Sequence, residues 1–244
     1  MEALQAWVAT QPPSDFLSLQ HTLTRYMEAY RGDVEAAKAA LLASVAWRAA
    51  SLQPGFSCAP CAATPGEHCF IPLGADATGA ALVYGCPARA SGSGNIEHTV
   101  AHVAHALEKQ FVGEERGSAP RQWVWIVDFS GFGLTHALQA RLGISFGGMF
   151  RDHFPERLKR IVLLNPPLLF RGLLAAQSAI TDERTAAKLT PVMAATPEEV
   201  VGALRDRFDV RSEEVLAWLR EVLGSPPTPG TLPPLPPAAA ALQV

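Results

Sequence analysis

Residues 143–147, Gly-Ile-Ser-Phe-Gly, have the G-x-S-x-G spacing of a serine nucleophile held in a sharp turn. For acyl transfer such a serine sits between a strand and a helix. Its acid and histidine partners follow it along the chain. The residues before Gly143, "THALQARL", read as helix instead. Of the seven histidines, only His153 follows Ser145. No general base is therefore expected. Ser145 is read as part of, or beside, a helix in which Gly143, Gly147 and Gly148 permit close packing. A serine hydrolase using Ser145 stays as the lesser alternative.

Two further sets suggest metal chemistry. His98, His102 and His105 are spaced i, i+4 and i+7 and share a helix face, but no acid or water shell can be placed beside them. The expected reading is a polar face. Cys58 and Cys61 form a C-x-x-C pair, half of a zinc site. No second pair answers it, and Cys69 and Cys86 follow at irregular spacing. The four are expected to be reduced thiols in a surface segment. No metal, cofactor or catalytic residue is assigned from these patterns.

The elements that must position any site follow from periodicity. With 244 residues, 48% of them hydrophobic, the chain can bury one sizeable core. A net charge of −3 lacks the basic footprint that nucleic acid requires. The N-terminus has no basic region followed by an apolar one, so no signal peptide is expected. No run reaches the ~18 apolar residues of a membrane span. These points give a cytoplasmic expectation.

Residues 14–30 and 33–50 read as two helices, capped at Ser14 or Asp15 and at Asp33. The Pro-, Gly-, Ala- and Cys-rich stretch 53–79 reads as a connecting segment with room for one short strand. Next come a strand (80–85), a helix capped by Asn95 and a nearly continuous apolar strand, "WVWIVDF" (123–129). A helix (135–153), a strand (161–165), helices near 168–178 and 182–188, and the strand "KLTPVMAA" continue the alternation. This order argues for an α/β domain with a largely parallel sheet. Two capped helices follow, "TPEEVVGALRDRF" and "SEEVLAWLREVL". The proline-rich residues 225–244 are expected to be a disordered tail, with a polyproline-binding partner as a further expectation.

Several matching pieces occur in order. A strand ends in Asp128-x-x-Gly131, and a Pro155-Glu156-Arg157 turn follows. A second strand ends in Asn165-Pro166-Pro167-x-x-Phe170, and "TDERTAAK" opens a helix. Upstream, Asp33-Val34 and Trp47-Arg48 stand at the separation seen in a small helical lobe. In these pieces the chain resembles the CRAL-TRIO family of lipid-binding proteins over roughly residues 20–195. The resemblance implies an α/β fold whose mostly parallel sheet is the floor of an apolar pocket. Helices close that pocket, and a small N-terminal helical lobe precedes it. The implied domains are a lobe (1–52), the connecting segment (53–79), the lipid-binding domain (80–224) and the tail (225–244).

It also implies a function: one lipid-like molecule is bound and exchanged at a membrane visited transiently, with no chemical step. The helix 168–180 takes the place of the family's movable gate, with Leu168, Leu169, Phe170, Leu173, Leu174 and Ile180 as its apolar residues. Members that bind phosphatidylinositol hold its headgroup at positions that are Arg31, Glu156, Thr185 and Lys188 here. Arg and Lys supply charge-assisted donors to a phosphodiester, Thr a neutral donor, and Glu an acceptor for ring hydroxyls. Phosphatidylinositol or another phospholipid is the implied ligand. A protein-interaction scaffold on the same fold is the alternative.

Overall fold

The computed structural model describes residues 1–64, 66–91, 95–111, 121–137, 140–168, 170 and 187–244. The N-terminal lobe contains α1 (Glu2–Val8), α2 (Asp15–Ser18), α3 (Gln20–Ala29) and α4 (Val34–Ser51). Ser14 caps α2 by accepting from the Leu17 N–H, and Asp33 caps α4 by accepting from the Ala36 N–H. The single helix expected for 14–30 is broken at Leu19, whose backbone is extended. Leu4, Leu17, Leu23, Tyr26, Ala37 and Leu41 form the lobe's buried core.

Short α5 (Ala59–Ala63) leads to β1 (Phe70–Ala75) and β2 (Ala81–Gly85). These strands pair antiparallel. Asp76 organises the turn between them: its Oδ1 accepts from the Thr78 N–H and hydroxyl and from the Ala80 N–H. After α6 (Ile96–Phe111) comes β3 (Trp123–Asp128), then α7 (Leu134–Ala137), α8 (Ala140–His153), β4 (Leu158–Leu164) and β5 (Leu189–Val192). The sheet order is β1-β2-β3-β4-β5, with every pair from β2 onward parallel.

This order has a geometric consequence. Parallel connections are right-handed, so strands added always on the same side place all their crossovers on one face. The α6 and α8 crossovers do pack on one face, against Phe70, Ala81, Val83 and Trp123. The opposite face carries Leu82, Tyr84, Val124, Ile126, Val162 and Leu164. It is left for α9 (Pro197–Phe208) and α10 (Glu213–Gly224), which bury Val200, Leu204, Leu216 and Leu219 against it.

The one short strand for which 53–79 had room is β1, an edge strand of the sheet. The structure corrects another expectation: residues 225–244 are not a loose tail. Leu232 and Leu235 pack on the core, and a short helix α11 (Pro237–Ala240) buries Ala239. Arg89, 2% exposed, donates to the carbonyls of Val222, Ser225 and Thr231. A buried guanidinium needs several acceptors, and the returning chain supplies them. The prolines help, since a chain with fixed φ has less conformational entropy to lose on ordering.

Candidate functional site

The crossover-bearing face continues from β3 across β4 to β5 as an apolar floor. Trp125, Val127, Ile161, Leu163 and Leu189 stand on it, since alternate residues of a strand share a face. Phe146 and Phe150 of α8 border it, each with its ring centroid 6.0 Å from Trp125. Gly85 makes room for the indole: a Cβ there would lie 2.8 Å from Trp125 Nε1. Beyond the end of β3, Phe129 and Phe132 extend the floor, 5.2 Å apart.

The described residues that follow β4 reach this same face. Phe170 sits 4.3 Å from Phe129 and 6.1 Å from Phe132, half-buried over the floor. Leu168, by contrast, is 80% exposed. Leu169, Leu173, Leu174 and Ile180 lie outside the described residues.

The polar edge is built at the start of β4 and β5. Pro155, Glu156 and Arg157 turn the chain out of α8. Arg157 is buried, donates to the Arg121 carbonyl at 2.8 Å, and lies 4.0 Å from the Phe111 ring centre. That residue holds the turn. Glu156 takes a positive φ of 55° and accepts a bond from Gln122 through its backbone carbonyl. Its carboxylate comes within 3.6 Å of Lys188 Nζ, and both side chains are about a quarter exposed. Lys188 is fixed because its carbonyl accepts from the Ile161 N–H.

Two of the four headgroup residues expected from the sequence are thus neighbours. Arg31 lies in the α3–α4 turn at φ 52°, exposed. Its lobe docks close by: the Tyr26 and Ser44 hydroxyls reach the Asp152 carbonyl, and Trp47 stacks on His153 at 4.1 Å. Arg48 ties the lobe to Glu108 of α6 at 2.5 Å and to the His153 carbonyl. Thr185 lies outside the described residues.

Ser145 occupies the interior of α8, with no strand-to-helix turn around it. His153 is used elsewhere, its Nδ1 2.9 Å from the Ser44 hydroxyl. The glycines of α8 depart from the expected close packing. A Cβ at Gly143, Gly147 or Gly148 would meet nothing within 4 Å among the described residues. The expected polar histidine face is also corrected. His102 is buried, and His105 stacks on Phe56 at 3.8 Å. The cysteines are not surface thiols, as Cys58, Cys69 and Cys86 are buried. Cys58 and Cys61 gather with His68 and His102, a grouping that no sequence spacing reveals.

The mixed sheet, with an apolar floor on one face and a polar edge at the start of β4 and β5, is an α/β fold able to hold an apolar ligand. A family comparison agrees, matching the CRAL/TRIO domain over residues 66–199. The chain belongs to the CRAL/TRIO domain family. Among solved structures, the crystal structure of Sfh5 is similar with a TM-score of 0.59 and 16% identity. The similarity covers 78% of this chain and 68% of that one, and at such identity it speaks for the fold alone. No curated protein matches the sequence. Among the described residues, no helix is long and apolar enough to cross a membrane.

Proposed function

We propose that this chain binds one phospholipid, phosphatidylinositol being the best fit, and exchanges it at a membrane it visits transiently. The observation that carries the reading is the aromatic floor of Trp125, Phe129, Phe146 and Phe150 beside the Glu156–Lys188 edge. Acyl chains lie against the floor. The headgroup phosphate takes Lys188, Arg31 and Thr185 as donors, and the inositol hydroxyls donate to Glu156. In the free protein Lys188 and Glu156 satisfy one another; the bound headgroup accepts from one and donates to the other. That exchange keeps both charges solvated or paired throughout.

The helix 168–180 acts as the gate, trading contacts with the floor for contacts with bilayer chains. Each large apolar side chain so transferred is worth about 1.5–3 kcal/mol, enough for a few to balance opening against closing. Native mass spectrometry of lipid co-purifying with the full chain, followed by transfer of labelled phosphatidylinositol between vesicles, tests the reading. One phospholipid per chain and protein-dependent transfer are expected. A protein that carries no lipid and leaves the transfer rate at its spontaneous value returns the fold to the scaffold reading.

A further inference from the structure

The segment between the helical lobe and β1 carries a cluster that the lipid site does not use. Cys58 is the N-cap residue of α5, and Cys61 is its third residue. His68 precedes β1, and His102 comes from the middle of α6. One ligand atom from each of the four lies within 4.8 Å of all the others, and Cys58, His68 and His102 are buried. Cys61 Sγ is 3.8 Å from His102 Nδ1. Zn–S bonds near 2.3 Å and Zn–N bonds near 2.0–2.1 Å in a tetrahedron separate ligand atoms by about 3.3–3.8 Å. The four residues are therefore already at metal-binding spacing, or within about 1 Å of it.

The His68 ring has one nitrogen engaged and one not. His68 Nδ1 lies 3.3 Å from the Thr99 hydroxyl. Its Nε2 is buried, with no hydrogen-bond partner among the described residues. The His68 ring thus has the outer partner that a metal-ligating histidine normally carries.

We propose that Cys58, Cys61, His68 and His102 bind one Zn²⁺ in a closed S₂N₂ site that fastens residues 58–68 to α6. Two thiolates and two imidazoles suit zinc, and four protein ligands leave no open position, so the site is structural. Binding releases the two thiol protons to solvent, while each imidazole gives a lone pair and loses no proton.

The test uses the full chain. Elemental analysis after purification without chelator should find about one zinc per chain. Cobalt replacement should give the intense visible bands of a tetrahedral thiolate site. The Cys58→Ser/Cys61→Ser double variant and His102→Gln should retain less than about a tenth of the metal. His98→Gln, whose ring lies 5.2 Å from His68 but outside the cluster, should retain it all. A measurement on the unaltered chain covers variants that fail to fold. Zinc added back to chelator-treated protein should shield Cys58 and Cys61 from alkylation and raise the melting temperature by several degrees. The proposal is overturned if the chain neither purifies nor reconstitutes with stoichiometric metal. It is equally overturned if both cysteines alkylate alike with and without zinc, or if they are found joined as a disulfide.

Discussion

Lys188 and Glu156 are 3.6 Å apart on a partly exposed edge, where an ion pair alone contributes little. In the proposed function their value lies in what they offer a ligand. Losing a hydrogen bond to a charged group costs about 1.5–3 kcal/mol, more than tenfold in affinity. Lys188→Ala with Thr185→Val should therefore weaken phosphatidylinositol binding more than tenfold while sparing a ligand without a phosphoinositol group. Vesicle-binding isotherms for the two ligand types decide it: equal losses indicate damage to the fold, and no loss indicates an ordinary surface pair. Asp76 makes a contrasting case, since its role is structural. Burial acts to raise its pKa, but the Thr78 hydroxyl, the Ala80 N–H and Lys159 outweigh it and hold the carboxyl below its ordinary value. Lys159 Nζ sits 3.0 Å from Oδ2. The depressed folded value means that Asp76 stabilises fully above its unfolded pKa, about 3.9, and loses this as pH falls through the folded value. Asp76→Asn should thus melt earlier than the parent at neutral pH, with the gap closing in acid. A gap independent of pH would assign the loss to the turn's hydrogen bonds rather than to the charge.

At the scale of elements, the described start of the β4–β5 connection differs from the other two crossovers. The α6 and α8 crossovers are fastened by buried residues such as Leu107, Phe111 and Met149. The third starts with an exposed Leu168 and a Phe170 that rests on two other phenylalanine rings. In the proposed function this segment opens, and an element that opens draws on weak local packing. Charges at Leu173 and Leu174 would be costly at a bilayer interface. Leu173→Asp/Leu174→Asp should slow lipid exchange between vesicles while the circular dichroism spectrum stays that of the parent. Exchange at the parent rate would show that this helix is not the gate.

The whole molecule is closed by its own C-terminus. Arg89 bonds three carbonyls and the Ser225 hydroxyl, Trp218 Nε1 donates to the Pro233 carbonyl, and Gln243 reaches the Pro72 carbonyl on β1. Arg89→Met removes a buried charge's hydrogen bonds and leaves the buried Val222 carbonyl without its side-chain donor. A loss of about 3 kcal/mol is expected, or roughly 6–12 °C in melting temperature for a chain of this size. Truncation after Gly224 should cost at least as much, because it also uncovers the apolar surface under Leu232, Leu235 and Ala239. Calorimetry of both variants checks this, and unchanged melting would show the C-terminal return to be dispensable.

Much of this architecture was legible in the sequence, because it rests on local periodicity. The run 123–129 could only be a central strand, and the alternation of strands with helices implied parallel pairing. The motif-bearing turns at Asp128, Glu156 and Asn165 need particular backbone conformations, and two of them adopt positive φ. Those short-range demands also located the CRAL/TRIO resemblance and the four headgroup positions. Ser145 could be rejected for the same reason, since a nucleophile's surroundings are partly local. What depends on long-range contact was not legible. A proline-rich composition gave no sign that Arg89, some 140 residues upstream, binds the returning chain at Thr231. The C-x-x-C pair gave no sign that histidines 7 and 41 residues beyond Cys61 would join it. His68 arrives there because β1 pairs with β2, and His102 because α6 crosses the same sheet face. Spacing along the chain records helical turns and strand pleats, but separation in space is set by how the sheet is assembled, and only the tertiary structure decides that.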